Sequence, residues 1–415
     1  MNFDDTPEEA AFREEVRAFL SAHATPKAGD ETDWSRNGAS TDPVVAGDYR
    51  RRCRAWQRTL FDNGWAGIAW PKMFGGRGGT AAQQIIFNQE LAAYDATSGF
   101  LTAALALVGP TLMAHGSPEQ QRRYLGPLLS GDEAWCQLFS EPEAGSDLAA
   151  LGTRAVLDDT DPDDEVWVVN GQKVWNSSAQ HADFGILICR TDPSVPKHDG
   201  ITYFIVDMHS PGIEVRPLVQ AQGVAHFNEV FFSDVRIPAA NVVGAVNGGW
   251  KVTKTTMRSE SSMISGAGQA TTFVNVLATV RRCGRDTDPV VRQELAKVWS
   301  NEQLLRYLSM RMQTAVMTGR KELAVHGSLL KNFFTQAFAH RATLALDCEG
   351  PEGMLSGGDA EGDGFWQYQC INQFASKIGG GTEEVHRNNL AEQALGLPRE
   401  PAADLDLPWS QLRRG

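Results

Sequence analysis

The middle of the chain, residues 134–245, carries a series of short apolar segments with no helical pattern between them, and this feature limits the possible folds most. The segments rich in β-branched and aromatic residues are Phe184–Arg190, Ile201–Met208, Ile213–Leu218 and Glu229–Ile237. Asn170-Gly171 lies between two more segments, Val166–Val169 and Gln172–Trp175, and suits the type I′ turn of a β-hairpin. Strands that follow one another without helices predict a compact antiparallel barrel or sandwich.

Both flanks of this β part show helical periodicity. Thr6 with Glu9 three residues later predicts a capped helix start, and Ser117–Gln120 repeats the pattern. The apolar stretch from Phe100 to Ala114 predicts a buried helix, because a membrane span needs about 20 apolar residues. We therefore predict an α+β fold with a helical domain at 1–133, a β-domain at 134–245 and a second helical domain at 246–415.

The chain is acidic. Its 415 residues carry a formal net charge of −13 and no Lys/Arg run longer than Arg50–Arg52, which argues against nucleic-acid binding. The six cysteines are scattered, as expected of reduced thiols, and the nine histidines show no metal-ligand spacing. The acidic, amphipathic start of the chain is not typical of a signal or transit peptide. We expect a soluble, cytoplasmic protein without a metal site.

Motifs of several common nucleotide and nucleophile sites are absent from the sequence. The glycine clusters Gly75–Gly79, Gly357–Gly364 and Gly379–Gly381 do not follow predicted strands with the GxGxxG spacing of a dinucleotide-binding fold. Neither a Walker loop nor a GxSxG elbow occurs. The chemistry must therefore use other residues.

Three other segments are candidates for a site. The loop Ser140–Asp147 offers hydroxyls and backbone amides that can hydrogen-bond a flat ring or a phosphate, and its alternative is a polar connection. Trp175–Ser178 could form one wall of a ring-binding slot, although a lone tryptophan is more often part of a core. Thr382 follows three glycines and predicts a helix start whose amides attract anions, or simply a capped helix in which Glu383 and Glu384 favour the dipole.

Taken in order, five segments resemble the acyl-CoA dehydrogenase family over nearly the whole chain. They are WCQLFSEPEAGSD, NGQKVWNSS, ITYFIVDM, FNEVFFSDVRIP and GGGTEEVHRNNLAEQALGLPRE. Several long motifs in the expected order make the resemblance specific. It implies an N-terminal helical domain, a middle antiparallel β-barrel or sandwich domain and a C-terminal four-helix bundle. It also implies FAD held between the last two domains, with part of the cofactor contacting a neighbouring subunit.

The resemblance further implies which residues hold the cofactor and the substrate. Trp175 should lie against the isoalloxazine ring, with Ser177 hydrogen-bonding near the reactive nitrogen. Arg282 matches an arginine that usually reaches the FAD of a partner subunit. The other matched cofactor positions are Gln137, Leu138, Phe139, Ser140, Gly145, Ser146, Thr382 and Glu384. The matched substrate positions are Ser146, Met257, Gly380 and Gly381.

The family reaction removes the α-proton of the thioester with a carboxylate while the β-hydrogen leaves as hydride to the flavin. In many members this base directly precedes the Gly-Thr of the C-terminal motif, a position that is Gly380 here. Other members carry the base on an earlier helix, and Glu260 falls on that position. Trp250, Met257 and Glu260 share one face if the segment is helical, so we expect a partly desolvated carboxylate with a raised pKa. The alternative is an ordinary helix glutamate that faces solvent.

Three segments depart from the family pattern. Ser261 replaces an arginine, Arg285-Asp286 replaces a phenylalanine-glycine pair, and Asp347–Gly353 replaces a glutamine-containing Gly-Gly loop. The inter-subunit half of the cofactor site is therefore altered. One explanation is assembly with a related but different chain, as in some bacterial dehydrogenases for steroid side chains. Gly380, having no side chain, favours room for branched or bulky acyl groups.

These inferences predict an FAD-dependent acyl-CoA dehydrogenase that forms a 2-enoyl-CoA and passes electrons to an electron-transfer flavoprotein. We expect a role in lipid metabolism such as fatty acid β-oxidation, in a dimer or tetramer of like or related subunits. Two alternatives keep the fold. One is a flavin oxidase or monooxygenase that reacts with oxygen, and the other is a non-catalytic or half-site subunit of a heteromeric dehydrogenase. The motifs do not identify the acyl chain.

Overall fold

A computed structural model describes residues 5–27, 40, 42–160, 165–266, 272–317, 323–401 and 405–412, without the side chains of 260–266, 316–317 and 323–326. The described residues pack into two compact units. The sheet unit contains residues of 41–78, 97–260 and 400–415, and the bundle unit contains residues of 1–40, 79–96 and 261–399.

The sheet unit is built on a seven-stranded sheet. Its strands are β1 (Trp135–Leu138), β2 (Arg154–Asp158), β3 (Val166–Ser177), β4 (Phe184–Arg190), β5 (Ile201–Asp207), β6 (Ile213–Leu218) and β7 (Phe227–Pro238). The strand order is β1-β4-β2-β3-β7-β6, and β5 also pairs with β4. The strands predicted at β4 to β7 are confirmed. The strands β1 and β2, and the parallel pairing of each with β4, were not predicted.

Strands β4 and β5 are buried on both faces. Ile186 and Tyr203 pack into one hydrophobic core, while Leu187 and Phe204 pack into another. Successive side chains of a strand point to opposite faces, so both faces need apolar residues when both are covered. This explains why these two segments are apolar almost without interruption rather than alternating.

The hairpin predicted at Asn170-Gly171 is wrong, because β3 runs through this dipeptide. The pairing of β3 with β7 continues on both sides, with a bulge between Val169 and Gly171. A Cβ on Gly171 would lie 2.5 Å from Thr153 Oγ1, so the glycine permits a close approach of two strands. Asn170 donates through Nδ2 to Asp234 Oδ1 (2.9 Å) and accepts from Asp234 N (3.0 Å). These contacts hold β3 against β7 instead of reversing the chain.

The α-helices precede and follow the strands along the chain. They are α1 (Pro7–His23), α2 (Pro43–Asp62), α3 (Ala81–Leu91), α4 (Thr102–His115), α5 (Pro118–Ser130), α6 (Gly249–Gly266), α7 (Phe273–Arg282), α8 (Pro289–Met317), α9 (Leu323–Glu349), α10 (Phe365–Ile378) and α11 (Glu383–Asn389). Helices α2, α4, α5 and α6 up to residue 260 belong to the sheet unit, and the others to the bundle unit. The predicted α+β fold class is confirmed.

Local capping chemistry starts several helices where the sequence predicts. Thr6 caps α1 and Ser117 caps α5, each in a complete capping box. The buried helix predicted near residue 100 is α4, which continues through Pro110 instead of ending there. Thr382 caps α11 by accepting a hydrogen bond from Val385 N (3.2 Å). These helix starts need only nearby residues, which is why they can be predicted from the sequence.

The bundle unit has its own core between α7, α8, α9 and α10. Val280, Leu295, Ala345 and Trp366 are buried there, and Trp366 Nε1 donates to Thr279 Oγ1 (2.7 Å). Segments without α-helix separate α7 from α8 at residues 283–288 and α9 from α10 at residues 350–364. Within the described ranges, no helix combines the length and the apolar character needed to cross a membrane.

Candidate active site

Trp175 lies at a second bulge of β3. The register of β3 against β7 shifts between Val174 and Asn176. The φ of Trp175 is 63°, in the left-handed region that a bulky residue adopts only when its surroundings hold it there. Its indole is 59% exposed and meets the ring of Phe227 edge-on, with 6.1 Å between centroids. The bulge therefore turns an aromatic ring away from the core.

Hydrogen bonds join the end of β3 to β1 and to the segment that follows β1. Asn176 Nδ2 donates to Gln137 O (2.8 Å), and Val174 N donates to Ser140 O (2.9 Å). Asn228 on β7 donates through Nδ2 to Asn176 O (2.8 Å). Two segments predicted to contact the flavin, 137–140 and 175–177, are thus brought together where the C-terminal ends of β1 and β3 meet. We call this place the edge of the sheet.

A buried ion pair between Lys173 and Glu141 stabilises this edge. Lys173 has no exposed side-chain area, and its Nζ donates to Glu141 Oε1 (2.8 Å) and to Phe139 O (2.9 Å). The Glu141 carboxylate also accepts from the backbone amides of Gly152 (2.6 Å) and Thr153 (2.9 Å). Burial alone would raise the pKa of Glu141, but the Lys173 ammonium and these hydrogen bonds hold the pKa below its usual value. The loop between Glu141 and Thr153 is therefore fixed at both ends by one carboxylate.

The predicted residues of this edge differ in exposure. Leu138 and Phe139 are buried in the hydrophobic cores, so a cofactor can meet them only through their backbone. Gln137 and Ser140 are half-buried. The exposed members of the set are Gly145, Ser146 and Ser177.

Helix α6 carries Met257 and Glu260, as predicted. The side chain of Met257 is 39% exposed. The side chain of Glu260 lies outside the described residues, so the predicted base stays a prediction. One turn earlier, Thr256 Oγ1 lies 2.9 Å from Thr111 Oγ1 and 3.1 Å from the Tyr203 hydroxyl. This buried hydroxyl cluster fixes α6 against α4 and β5.

The glycine loop before α11 belongs to the bundle unit. Gly380 and Gly381 both have positive φ, 67° and 89°, which favours glycine at each position. A Cβ on Gly381 would lie 2.9 Å from His386 Nε2. Burial lowers the pKa of His386. The neutral ring with its proton on Nε2 donates to Gly380 O (3.0 Å) and accepts from the Ser328 hydroxyl at Nδ1 (3.0 Å).

Helix α9 anchors the same loop through two further contacts. Lys331 Nζ donates to Gly379 O (2.6 Å), and the Thr335 hydroxyl donates to Glu383 Oε1 (2.5 Å). Thr382 is half-buried, whereas Glu384 is exposed. The loop that carries the two predicted substrate glycines is thus also held by side chains of α9 that the sequence motif did not indicate.

Arg282 makes ion pairs within its own chain. Its Nη2 lies 3.2 Å from Glu349 Oε1 and its Nη1 lies 3.2 Å from Glu361 Oε1. Gln367 Nε2 donates to Glu349 Oε2 (3.1 Å). Burial raises the pKa of Glu349, and the nearby Arg282 opposes that shift. The guanidinium expected to reach the FAD of a partner subunit therefore already pairs with two carboxylates of its own chain.

The residues of the sheet unit fit a flavin ring. An exposed indole provides a flat apolar wall, Ser140 and Ser177 provide hydroxyl groups near it, and Ser146 is exposed on the loop that follows Glu141. Arg282 fits the anionic part of a dinucleotide less well, because its charge is already balanced. The two observations concern different units and different parts of the cofactor.

Sequence reasoning missed the residues that support this edge, Lys173, Asn176 and Asn228. Lys173 had a signal, since it is a charged residue that directly precedes the apolar pair Val174-Trp175. Asn176 and Asn228 had none, because their partners are backbone carbonyls far away in the sequence or on another strand.

Comparison with protein families matches the chain to three acyl-CoA dehydrogenase domains. The N-terminal domain matches residues 6–132, the middle domain 136–235 and the C-terminal domain 247–395. Acyl-CoA dehydrogenase IpdE1 of Mycobacterium tuberculosis is 38% identical over 94% of this chain and 98% of that protein. Acyl-CoA dehydrogenase FadE29 of the same organism is 33% identical over 97% of this chain and 100% of that protein.

Solved structures share the fold over nearly the whole chain. The Tcur3481-Tcur3483 steroid ACAD has a TM-score of 0.78 and 29% identity, covering 96% of this chain and 100% of that one. The ChsE4-ChsE5 complex from Mycobacterium tuberculosis has a TM-score of 0.75 and 28% identity, with coverage of 96% and 100%. With three matched domains and relatives aligned over almost their full length, the chain belongs to the acyl-CoA dehydrogenase family of FAD-dependent oxidoreductases.

Proposed function

We propose that this enzyme dehydrogenates an acyl-CoA thioester between its α and β carbons, with Glu260 as the base. The observation that carries the proposal is the exposed Trp175, held in a left-handed conformation at the edge where Ser140 and Ser177 also lie. A backbone strain of this kind is retained where a side chain must point in a particular direction for function. FAD, when bound, accepts the hydride that leaves the β-carbon.

Each matched residue has a proposed task. Trp175 covers one face of the flavin ring, and Ser177 hydrogen-bonds near its reactive nitrogen. The backbone of 137–140 lines the ring, and Ser146 lies at the thioester entrance. Gly380 and Gly381 leave space for the acyl chain, and Thr382 and Glu384 contact the cofactor. The domain bounds 1–133, 134–245 and 246–415 remain part of the proposal.

Glu260 is proposed as the base because the alternative position has no carboxylate. Gly380 carries no side chain, and it lies in a loop that contains no acid before Glu383. Glu260 lies on α6, one turn after the buried hydroxyl cluster that fixes this helix. A base must keep a fixed position relative to the α-carbon, and such an anchored helix provides it.

The test of the base is Glu260→Gln. We expect turnover to fall by roughly 10² to 10⁴-fold while bound FAD is unchanged, because general-base catalysis contributes a factor of that size. Glu214→Gln is the matched control, since Glu214 is an exposed strand residue paired only locally with Arg216 (2.7 Å). Wild-type turnover by the Glu260 variant would show that another residue takes the proton.

We propose a bulky, ring-containing acyl group as the substrate. Gly380, which matches a substrate position, has no side chain that would limit the size of the acyl group, and the Tcur3481-Tcur3483 steroid ACAD supports the same substrate class. The assay is anaerobic bleaching of the flavin by butyryl-CoA, isobutyryl-CoA, palmitoyl-CoA and cholyl-CoA. The fastest bleaching is expected with cholyl-CoA, and bleaching by the straight chains alone would refute the proposal.

The electron acceptor is proposed to be an electron-transfer flavoprotein. The bleached enzyme should then reoxidise slowly in air and rapidly when that acceptor is added. Rapid reoxidation by oxygen alone would instead identify a flavin oxidase or monooxygenase of the same fold.

We also propose that the chain assembles with a related subunit. Arg282 is neutralised by Glu349 and Glu361, which weakens its attraction for a pyrophosphate. The ChsE4-ChsE5 complex supports an assembly of two different chains. Purified alone, the chain should hold clearly less than one FAD per subunit, and adding the partner should restore it. The Glu260→Gln variant distinguishes a catalytic subunit from a non-catalytic half-site subunit. If this chain were a non-catalytic subunit, the complex that contains the variant would remain active.

A further inference from the structure

Residues Leu405–Leu412, here called the C-terminal strap, are part of the sheet unit although they follow the bundle unit in sequence. Trp409 N donates to Val195 O (2.8 Å), and Ser410 N donates to Pro193 O (2.9 Å). Pro408 forms an isolated bridge with Pro196. The strap therefore lies along the loop that joins β4 to β5.

The side chain of Trp409 covers Arg190. The guanidinium carbon of Arg190 lies 5.0 Å from the centroid of the indole, and the Trp409 Nε1 donates to Ala150 O (3.1 Å). Arg190 is 3% exposed, and its Nε has no hydrogen-bond partner among the described residues. Burial lowers the pKa of Arg190 to about 10. A buried cation with an incomplete set of hydrogen bonds gains from the face of a tryptophan.

Arg190 in turn joins two loops. Its Nη2 donates to Ala149 O (2.6 Å) and its Nη1 donates to Lys197 O (2.7 Å). Lys197 Nζ also contacts Asp147 Oδ2 (2.8 Å) across the same gap. The segment 145–150 and the loop 191–200 are thus held together over one buried guanidinium.

We infer that Trp409 is a positioning residue for the substrate entrance. By covering Arg190 and bonding to Ala150, it holds the segment that carries Ser146 in the conformation that receives the thioester. This inference rests on the proposed function in one point, the place of Ser146 at the entrance. The strap itself is argued from contacts within the sheet unit alone.

The test compares Trp409→Ala with Trp409→Phe, using the FAD-loaded protein together with its partner subunit where one is required. Trp299→Ala is the matched control, because Trp299 on α8 is a tryptophan 52% exposed in the bundle unit. Hydrogen exchange of segments 141–153 and 191–200 is measured without substrate. KM and kcat are measured with whichever of the four thioesters above is turned over fastest.

In Trp409→Ala, we expect exchange in both segments to quicken by about tenfold, because one hydrogen bond and one cation–π contact are lost. KM should rise by a similar factor while kcat stays within about twofold, since the reacting groups are untouched. Trp409→Phe keeps the aromatic face and should remain near the wild type. Trp409→Leu replaces the alanine variant if that protein does not fold.

These outcomes distinguish the role of the strap in ordering the two segments from the role of Trp409 in positioning the substrate entrance. Unchanged exchange in the alanine variant would overturn the role of the strap, whatever happens to activity. Faster exchange with an unchanged KM would overturn the positioning role, because the ordered segment would then not serve the entrance. A loss of kcat equal to that of the Glu260 variant would also contradict it.

Discussion

Replacing Lys173 with methionine should destabilise the protein by several kcal/mol. Lys173 is fully buried, and the substitution removes its contacts with Glu141 Oε1 (2.8 Å) and Phe139 O (2.9 Å). Methionine fills much of the same volume, so packing changes little. What remains is a carboxylate, 10% exposed, without its counter-ion. Breaking a buried pair in this way costs about 3–5 kcal/mol.

Thermal unfolding of the FAD-loaded protein measures this cost. For a chain of 415 residues, a loss of about 3–5 kcal/mol corresponds to a fall in Tm of about 3–6 °C. The double variant Lys173→Met, Glu141→Gln removes both charges and should recover part of the loss. Gly152 N and Thr153 N donate to different oxygens of the Glu141 carboxylate, so the glutamine amide, with one oxygen, can accept from only one of them, and the recovery stays incomplete.

The pH dependence of Tm provides a second test of the Lys173–Glu141 ion pair. The pKa of Glu141 is lowered in the folded protein, so its ionised form stabilises the fold above about pH 4.5, and this contribution is lost as pH falls. In Lys173→Met the same buried carboxyl should have a raised pKa, because only burial remains as a strong influence. The difference in Tm between variant and wild type should therefore shrink as pH is lowered from 7 to 4.

Lys297→Met is the matched control. Lys297 is 63% exposed, and its pair with Glu294 (2.6 Å) spans one helical turn. An exposed pair of this kind contributes at most about 1 kcal/mol. If both lysine variants lowered Tm equally, or if the loss at Lys173 did not depend on pH, the assignment of a stabilising buried pair would be refuted.

Two individual residues, Trp175 and His386, give further predictions. Trp175→Gly should raise the unfolding free energy of the FAD-free protein by about 1 kcal/mol, since glycine tolerates a φ of 63°. The same change should weaken FAD binding, measured by flavin titration. A lower unfolding free energy with unchanged FAD affinity would contradict this prediction. Burial lowers the pKa of His386 below 6.5, so its neutral form stabilises the fold above that pH and this contribution is lost as pH falls. His386→Gln should therefore flatten the fall in Tm between pH 7 and 5, and an unchanged slope would count against it.

The parts of the fold that could be predicted from the sequence depend on neighbours in the chain. The capping boxes at Thr6 and Ser117 involve residues three positions apart, and both are present in the structure. The Asn170-Gly171 prediction failed because the same dipeptide suits a tight turn and a bulge equally well. The deciding contact is the approach of Thr153, which directly precedes β2, a strand that the sequence did not reveal.

The candidate site was predictable to a similar degree. Long motifs placed Trp175 and Ser177 together, and the structure shows both exposed at one edge of the sheet. Neither the bulge that exposes Trp175 nor the support by Lys173 follows from a motif, since each depends on where β7 and β1 lie. The contact of the C-terminal strap with Arg190 could not be predicted either, because Trp409 and Arg190 are more than 200 positions apart in the sequence.

Arg282 shows why a matched residue type does not by itself define a role. The position keeps the arginine of the family pattern, but Glu349 comes from the segment that departs from that pattern, and Glu361 from the turns that follow it. An arginine offers five N–H donors, and those at Nη1 and Nη2 that face Glu349 and Glu361 are not available to bind a pyrophosphate. Restoring that role would require breaking two ion pairs, one with a buried carboxylate. We therefore propose that the acidic replacement at 347–353 changes what Arg282 can bind without changing Arg282 itself, and this is the physical basis for proposing a second, different chain.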